Sequence, residues 1–300
     1  MKLFPEATSL YVNSGIGPKT ASSIKDYRNV LRLLQSRHPE LHLDEFTGQI
    51  LTRYCTEHGL AGATLAKRKA IVRGLFQWAT WQGIVKADPS TVLTFTARPS
   101  KQRVRGGNWL TEEQARLLLA GCDQIQDENR ARRDRIILMF GLLCGLRNFE
   151  IAQMRWEHLS PDLTSFRMVG KGSKMATVGI PPQLRRELEE WRKVSPAEGA
   201  ALLPTARGMG RAERFDFIWD KPLGEHGVYS IVVKAGRRIG KKIATHDLRR
   251  TFCGILEDQG MPVQDISRVM RHENIGITST YLERRPERNV EITANFTIGE

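Results

Sequence analysis

The chain has 300 residues, enough for two domains of ordinary size that each bury a core. It carries 46 Lys and Arg against 33 Asp and Glu, a formal charge of +13, and its 40% hydrophobic content excludes disorder as the main state. The charge is uneven, with 16 basic and 7 acidic side chains in residues 1–105 and 30 and 26 in residues 106–300. A field of that sign attracts polyanions, of which nucleic acid is the commonest, although charge alone leaves membranes and acidic proteins open. Cys55, Cys122, Cys144 and Cys253 lie far apart without C-x-x-C spacing, which fits a reducing cytosol. The longest apolar run, Ile136 to Leu146, is about half a membrane span, so a cytoplasmic protein without a membrane partner is expected.

Residues 18–83 read as helices separated by short breaks. Thr20 to Leu34 carries Ile24, Tyr27, Val30, Leu31 and Leu34 at helical spacing, and Phe46 to His58 is a second candidate, stopped by Gly59. Thr64 to Gln82 is the clearest, with Ile71, Leu75, Trp78 and Ala79 as an apolar stripe beside Lys67, Arg68, Lys69 and Arg73; Gly83 ends it. Residues 98–106, with Lys101, Arg103 and Arg105, form a basic linker signature. This divides the chain into a helical domain at 1–97 and a second domain at 107–300.

Thr111 with Gln114 is a capping box that opens the first helix of that domain. Arg135 to Leu146 reads as a buried helix, and Ser165 to Val169 and Ala176 to Ile180 as two strands of a hairpin with Lys171 in its loop. A helix from Pro181-Pro182 to Lys193 follows; Ser195 to Asp220, broken by Pro and Gly, reads as irregular. Helices resume at Gly227 to Ile239, Asp247 to Gln259, Val263 to Met270 and Ile277 to Leu282. The fold class is mainly α with a small antiparallel β-sheet in the second domain.

Two patterns fail on inspection. Gly236 to Lys242 has the wrong glycine spacing for a phosphate loop, and His38 and His42 lack any partner that would complete a metal site. The stronger signal is a set of polar residues beside apolar helices: Arg147 after Gly145-Leu146, His246 and Arg249 in one helix, and His272 nine residues before Tyr281. Singly, each has a bland reading: Arg147 as the ion-pair partner of Glu150, His246 as a cap, Tyr281 as a packing residue. Together they share a rationale. Attack on a phosphodiester builds negative charge on its non-bridging oxygens, which arginines and a histidine donor stabilise, while a tyrosine nucleophile and a 5′-oxygen leaving group need a base and an acid.

The arrangement resembles the tyrosine recombinases of the phage integrase family, including the Xer-type resolvases. Gly145-Leu146-Arg147-Asn148-Phe149-Glu150-Ile151 is similar to the first arginine box, Gly170-Lys171-Gly172-Ser173-Lys174 to the lysine hairpin, His246-Asp247-Leu248-Arg249 to the H-x-x-R box, and Met270-Arg271-His272 with Thr280-Tyr281 to the second histidine and the nucleophile. The resemblance implies that Tyr281 attacks the phosphate, Lys171 protonates the leaving oxygen, His246 acts as acid/base partner, and Arg147, Arg249 and His272 hold the phosphate. Lys174 is a rival to Lys171. No cofactor and no metal are implied. The partners implied are double-stranded DNA with inverted repeats, three further copies in a tetramer, and an accessory DNA-bending or directionality protein.

A helical core-binding domain and an α+β catalytic domain would then clamp the duplex, without an arm-binding module. Lys67, Arg68, Lys69, Arg73, Lys101, Arg103 and Arg105 are the expected DNA contacts. The tail 283–300 would dock in cis or on a neighbouring protomer. Arg250 stands where many relatives carry a second histidine, and Arg271 where glycine is usual, offering a further phosphate contact. The alternatives are a type IB topoisomerase-like relaxing enzyme and a non-catalytic DNA-binding protein on the same fold.

Overall fold

The computed structural model describes residues 4–18, 21–57, 59–60, 62–94, 109–169, 175–196, 200–208, 215–272 and 274–282. The chain forms two compact units, Met1–Arg103 and Val104–Glu300.

The first unit is built from α1 (Phe4–Asn13), α2 (Ala21–Ser36), α3 (Gly48–Cys55) and α4 (Gly62–Trp81). Helix α1 precedes the first expected helix, and its buried Phe4, Ala7 and Tyr11 recur at helical spacing. Helix α3 is shorter than expected because the Thr47 hydroxyl accepts from the Ile50 amide and caps it, leaving Phe46 outside the helix as a core residue. In α4 the stripe of Ile71, Leu75, Trp78 and Ala79 is buried as its spacing demands, and Gly83 at φ +67° follows the helix.

Arg68, one of the expected DNA contacts, is turned inward in the first unit. It lies three residues before Ile71 on the face that α4 turns inward, and its side chain is 8% exposed. The guanidinium stacks 4.5 Å from the centre of the Tyr54 ring and donates to the Tyr54 carbonyl at 3.2 Å and to Glu57 at 2.5 Å. Hydrogen bonds from Arg37 and Arg68 hold the Glu57 carboxyl down to about 2.

The second unit comprises α5 (Glu112–Ala120), α6 (Glu128–Cys144), α7 (Asn148–Ala152), β1 (Ser165–Val169), β2 (Met175–Gly179), α8 (Pro182–Val194), β3 (Pro204–Gly208), β4 (Phe215–Pro222), α9 (Glu225–Arg238), α10 (Thr245–Asp258), α11 (Val263–Val269) and α12 (Ile275–Leu282). The capping box forms, with Thr111 and Gln114 exchanging side-chain and backbone bonds at 3.2 Å. Helix α6 starts earlier than expected because Asp127 caps it through the Arg130 amide at 2.8 Å. Its residues Ile136 to Leu142 are buried, and it packs on α8 and α10. Gly141 makes room for this, since a Cβ there would lie 2.8 Å from Leu248 of α10.

β1 and β2 pair antiparallel as expected, Phe166 opposite Val178. The structure adds a second antiparallel pair, β3 and β4, in the stretch that reads as irregular. Phe217 and Trp219 of β4 lie against the Trp191 ring of α8 at 5.4 and 5.3 Å, and the Trp191 indole donates to the Leu202 carbonyl at 2.8 Å. Among the described residues no helix is long and apolar enough to cross a membrane.

Gly145, which follows α6, adopts φ +58°, and a Cβ there would meet the Phe252 ring at 2.6 Å. Left-handed strain and overpacking together make Gly145→Ala cost the second unit about 2–4 kcal/mol. Urea unfolding monitored by tryptophan fluorescence is expected to register that loss; an unchanged midpoint would mean that this junction relaxes freely.

Candidate active site

Two helices end in the same way at one place in the second unit. The Gly145 amide closes on the Phe140 carbonyl at the end of α6. At the end of α11 the His272 amide returns to the Ser267 carbonyl at 3.0 Å, and Arg271 takes φ +55°. An arginine in that left-handed region costs about 1 kcal/mol, which its surroundings must offset. Arg249, in the second turn of α10, joins the two ends. Its side chain is 1% exposed, and its two terminal nitrogens donate to the carbonyls of Gly145 and Met270.

Arg147 follows the α6 end directly and sets the position of α7. The Glu150 side chain, fully buried, reaches back to accept from the Arg147 amide at 2.7 Å and from its guanidinium at 2.9 Å. The second of these is the ion pair that the sequence suggests. Arg271 adds a partner that it does not: its guanidinium donates to the same Glu150 carboxylate at 3.3 Å and to the Val269 carbonyl at 3.2 Å. Burial opposes ionisation of Glu150, but the Arg147 amide and the Arg271 and Arg147 guanidiniums outweigh it and hold the carboxyl below its usual range.

The histidines feel the same arginines. His246 stands in the first turn of α10, and burial, then the charges of Arg250, Arg249 and Arg147, lower its pKa against the opposing pull of Asp247. Asp247 accepts from the Ala244 amide at 2.9 Å and pairs with Arg250 at 2.8 Å, so the residue in place of the usual second histidine serves as its counter-ion. His272 is brought down to about 4 by burial and then by Arg249, Arg147 and Arg271. Its Nδ1 lies 2.7 Å from the hydroxyl of the buried Thr278 in α12, which fixes the ring. The unfolded chain takes up this proton near 6.5 and the folded chain only near 4, so this ring makes stability fall as pH drops through that interval.

Arg147, His246, Arg249 and His272 are thus grouped closely enough that the first and third act electrostatically on both rings. Helix α12 packs on α10 and α11 and carries Tyr281 in its last turn; the Tyr281 side chain lies outside the described residues. Lys171 and Lys174, which fall between β1 and β2, also lie outside them, as do Lys101, Arg103, Arg105 and the tail 283–300. Lys67 pairs with Asp26 at 2.6 Å on the surface of the first unit, and Lys69 and Arg73 lie half-buried on α4. Thr278 carries no motif of its own in the sequence, and its place three residues before Tyr281 puts the two near one another on α12. Among the described residues no cluster of three His, Cys, Asp or Glu side chains has the makings of a metal site.

The phage integrase family profile matches residues 108–288, and that of the phage integrase N-terminal SAM-like domain matches residues 15–83. Tyrosine recombinase XerC of Pseudomonas entomophila (strain L48) is 28% identical over 230 residues, which span 75% of this chain and 70% of that protein. Tyrosine recombinase XerC of Stutzerimonas stutzeri (strain A1501) is 28% identical over 228 residues, spanning 74% and 70%. In structure, a lambda integrase dimer bound to a COC′ core site is similar with a TM-score of 0.70 at 13% identity, over 99% of this chain and 79% of that one. XerH bound to a palindromic difH substrate matches with a TM-score of 0.67 at 18% identity, over 91% and 79%. The structural likenesses fix the fold, and the family match spans well over half of the sequence: the chain belongs to the phage integrase family of tyrosine recombinases, enzymes that cleave and rejoin DNA strands.

Proposed function

We propose that this chain recombines double-stranded DNA at specific sites through Tyr281, as the integrase of a phage or mobile element. The observation that carries the reading is the convergence of Arg147, Arg249 and His272 on the junction of the α6 and α11 ends, with Tyr281 on the helix packed against it. Guanidiniums and an imidazole N–H at one point suit the charge that grows on a phosphodiester under attack. A neutral His272 that donates from Nε2 needs Nδ1 as an acceptor, which the Thr278 hydroxyl satisfies by donating to it.

In this reading the Tyr281 hydroxyl oxygen attacks phosphorus and its proton passes to His246, which its surroundings keep unprotonated and so able to accept. The bond from phosphorus to the 5′-oxygen breaks, and Lys171 protonates the leaving oxygen. A 3′-phosphotyrosyl ester and a 5′-hydroxyl result. The ester retains the free energy of the broken bond, so rejoining to another strand runs the same steps in reverse without an outside energy source. Arg147, Arg249 and His272 hold the phosphate throughout.

The relatives extend the reading to assembly. A lambda integrase tetramer is bound to a Holliday junction and XerH to a palindromic site, so four copies of this chain acting on two duplexes with inverted repeats is the matching arrangement. Both units would contact the duplex, with Lys67, Lys69 and Arg73 on phosphates and a DNA-bending or directionality protein choosing the direction. Recombinases among the relatives, together with the helical N-terminal unit, favour strand exchange over relaxation of supercoils.

Wild-type protein incubated with a nicked, random-sequence duplex library and denatured in SDS is expected to retain covalently attached DNA enriched for an inverted repeat. Tyr281→Phe should bind DNA as well and retain none; an adduct that persists in that variant would mean another nucleophile. Replacing Lys69 and Arg73 together by Gln should weaken DNA binding and flatten its salt dependence by about two units of slope. An unchanged slope would put the duplex elsewhere on the first unit.

A further inference from the structure

We propose that Arg271 is a positioning residue of the cleavage reaction, holding the Glu150 carboxylate so that Arg147 stays aimed and charged toward the phosphate. The inference rests on the recombinase reading above. Its starting point is the backbone: Arg271 sits at φ +55°, a conformation that a glycine adopts without strain and an arginine does not. Something must be gained from the side chain to keep it there.

What it gains is Glu150. One oxygen of that carboxylate takes the Arg147 guanidinium at 2.9 Å. The other takes both the Arg147 amide at 2.7 Å and Arg271 at 3.3 Å. A second contact of Arg271 to the Gly145 carbonyl, at 3.5 Å, brings it against the residue that Arg249 also grips. The terminal torsion of a glutamate is soft, so a carboxylate held from one side can swing. Arg271 shares the oxygen that the Arg147 amide uses and reaches it from the α11 end, so the carboxylate is tied to both helix ends, and Arg147, bound to it by backbone and side chain alike, is held with it.

Charge argues the same way. A lone buried Glu150 paired with Arg147 alone would draw that guanidinium inward and cancel its charge. Two guanidiniums on one carboxylate leave the triad net positive, so Arg147 keeps an attraction to spare for an anion. Arg271 is also among the charges that depress His272, together with Arg249 and Arg147, so its removal should be felt at that ring. The Val269 carbonyl, which takes the remaining end of the guanidinium at 3.2 Å, tethers Arg271 to its own helix end.

The test uses Arg271→Gly, which suits the left-handed backbone and removes only the guanidinium. The substrate is a nicked duplex recovered from the adduct selection. DNA binding should stay within about twofold, while single-turnover adduct formation at saturating protein falls about 10- to 100-fold. Arg271→Lys should recover part of that loss. Glu150→Gln combined with Arg271→Gly should be no slower than Glu150→Gln alone, because one acts through the other. Wild-type rates in Arg271→Gly, or losses that multiply in the double variant, would overturn the inference and leave the recombinase reading standing. Failure of the wild-type protein to form any adduct would instead overturn both.

Discussion

The Arg249 guanidinium is the point on which the site turns. Its terminal nitrogens satisfy the last carbonyls of two helices that come from opposite ends of the second unit, at Gly145 and Met270. Backbone carbonyls at helix ends have no partner within their own helix, and here one buried cation serves two of them. Arg147 leaves the first of these ends and Arg271 and His272 the second, so the placement of these three residues follows from that one side chain. Gly145 and Gly141 permit it by letting Phe252 and Leu248 of α10 approach without obstruction.

The electrostatic consequence is a site that resists protons. Burial and three arginines keep His272 neutral, and burial with Arg250, Arg249 and Arg147 pushes His246 in the same direction. Such an arrangement is costly until an anion enters, and that is what an enzyme for phosphodiesters requires: charge set in place before the reaction and used when negative charge grows. Neutral imidazoles suit the two roles assigned to them, one as a proton acceptor and the other as a donor oriented by Thr278.

Much of this was legible in the residues themselves. Arg147, His246, Arg249, His272 and Tyr281 stand out as polar residue types beside apolar helices, and the Arg147–Glu150 pair lies within one turn. Helices α4, α8 and α10 follow from their apolar period and fall within a residue or two of their expected bounds. What escaped depends on partners distant in the chain. Arg68 reads as a surface cation by type, and only its packing on Tyr54 and Glu57 turns it inward. Arg271 is 121 residues from Glu150, and no local pattern links them. The β3 and β4 pair is hidden by Pro204 and Gly208, although Phe217 and Trp219 alternate as a strand's residues should; the Trp191 surface that buries them belongs to α8.

The account stands most directly on the state of His272, which can be followed by NMR of the imidazole nitrogens. In the free protein its midpoint should lie at about 4, held down by Arg249, Arg147 and Arg271. In Tyr281→Phe bound to uncleaved DNA the midpoint should rise, because a phosphate between the ring and those arginines offsets their repulsion. An ordinary value near 6.5 in the free protein, or a midpoint indifferent to bound DNA, would contradict the claim that these groups form one phosphate site.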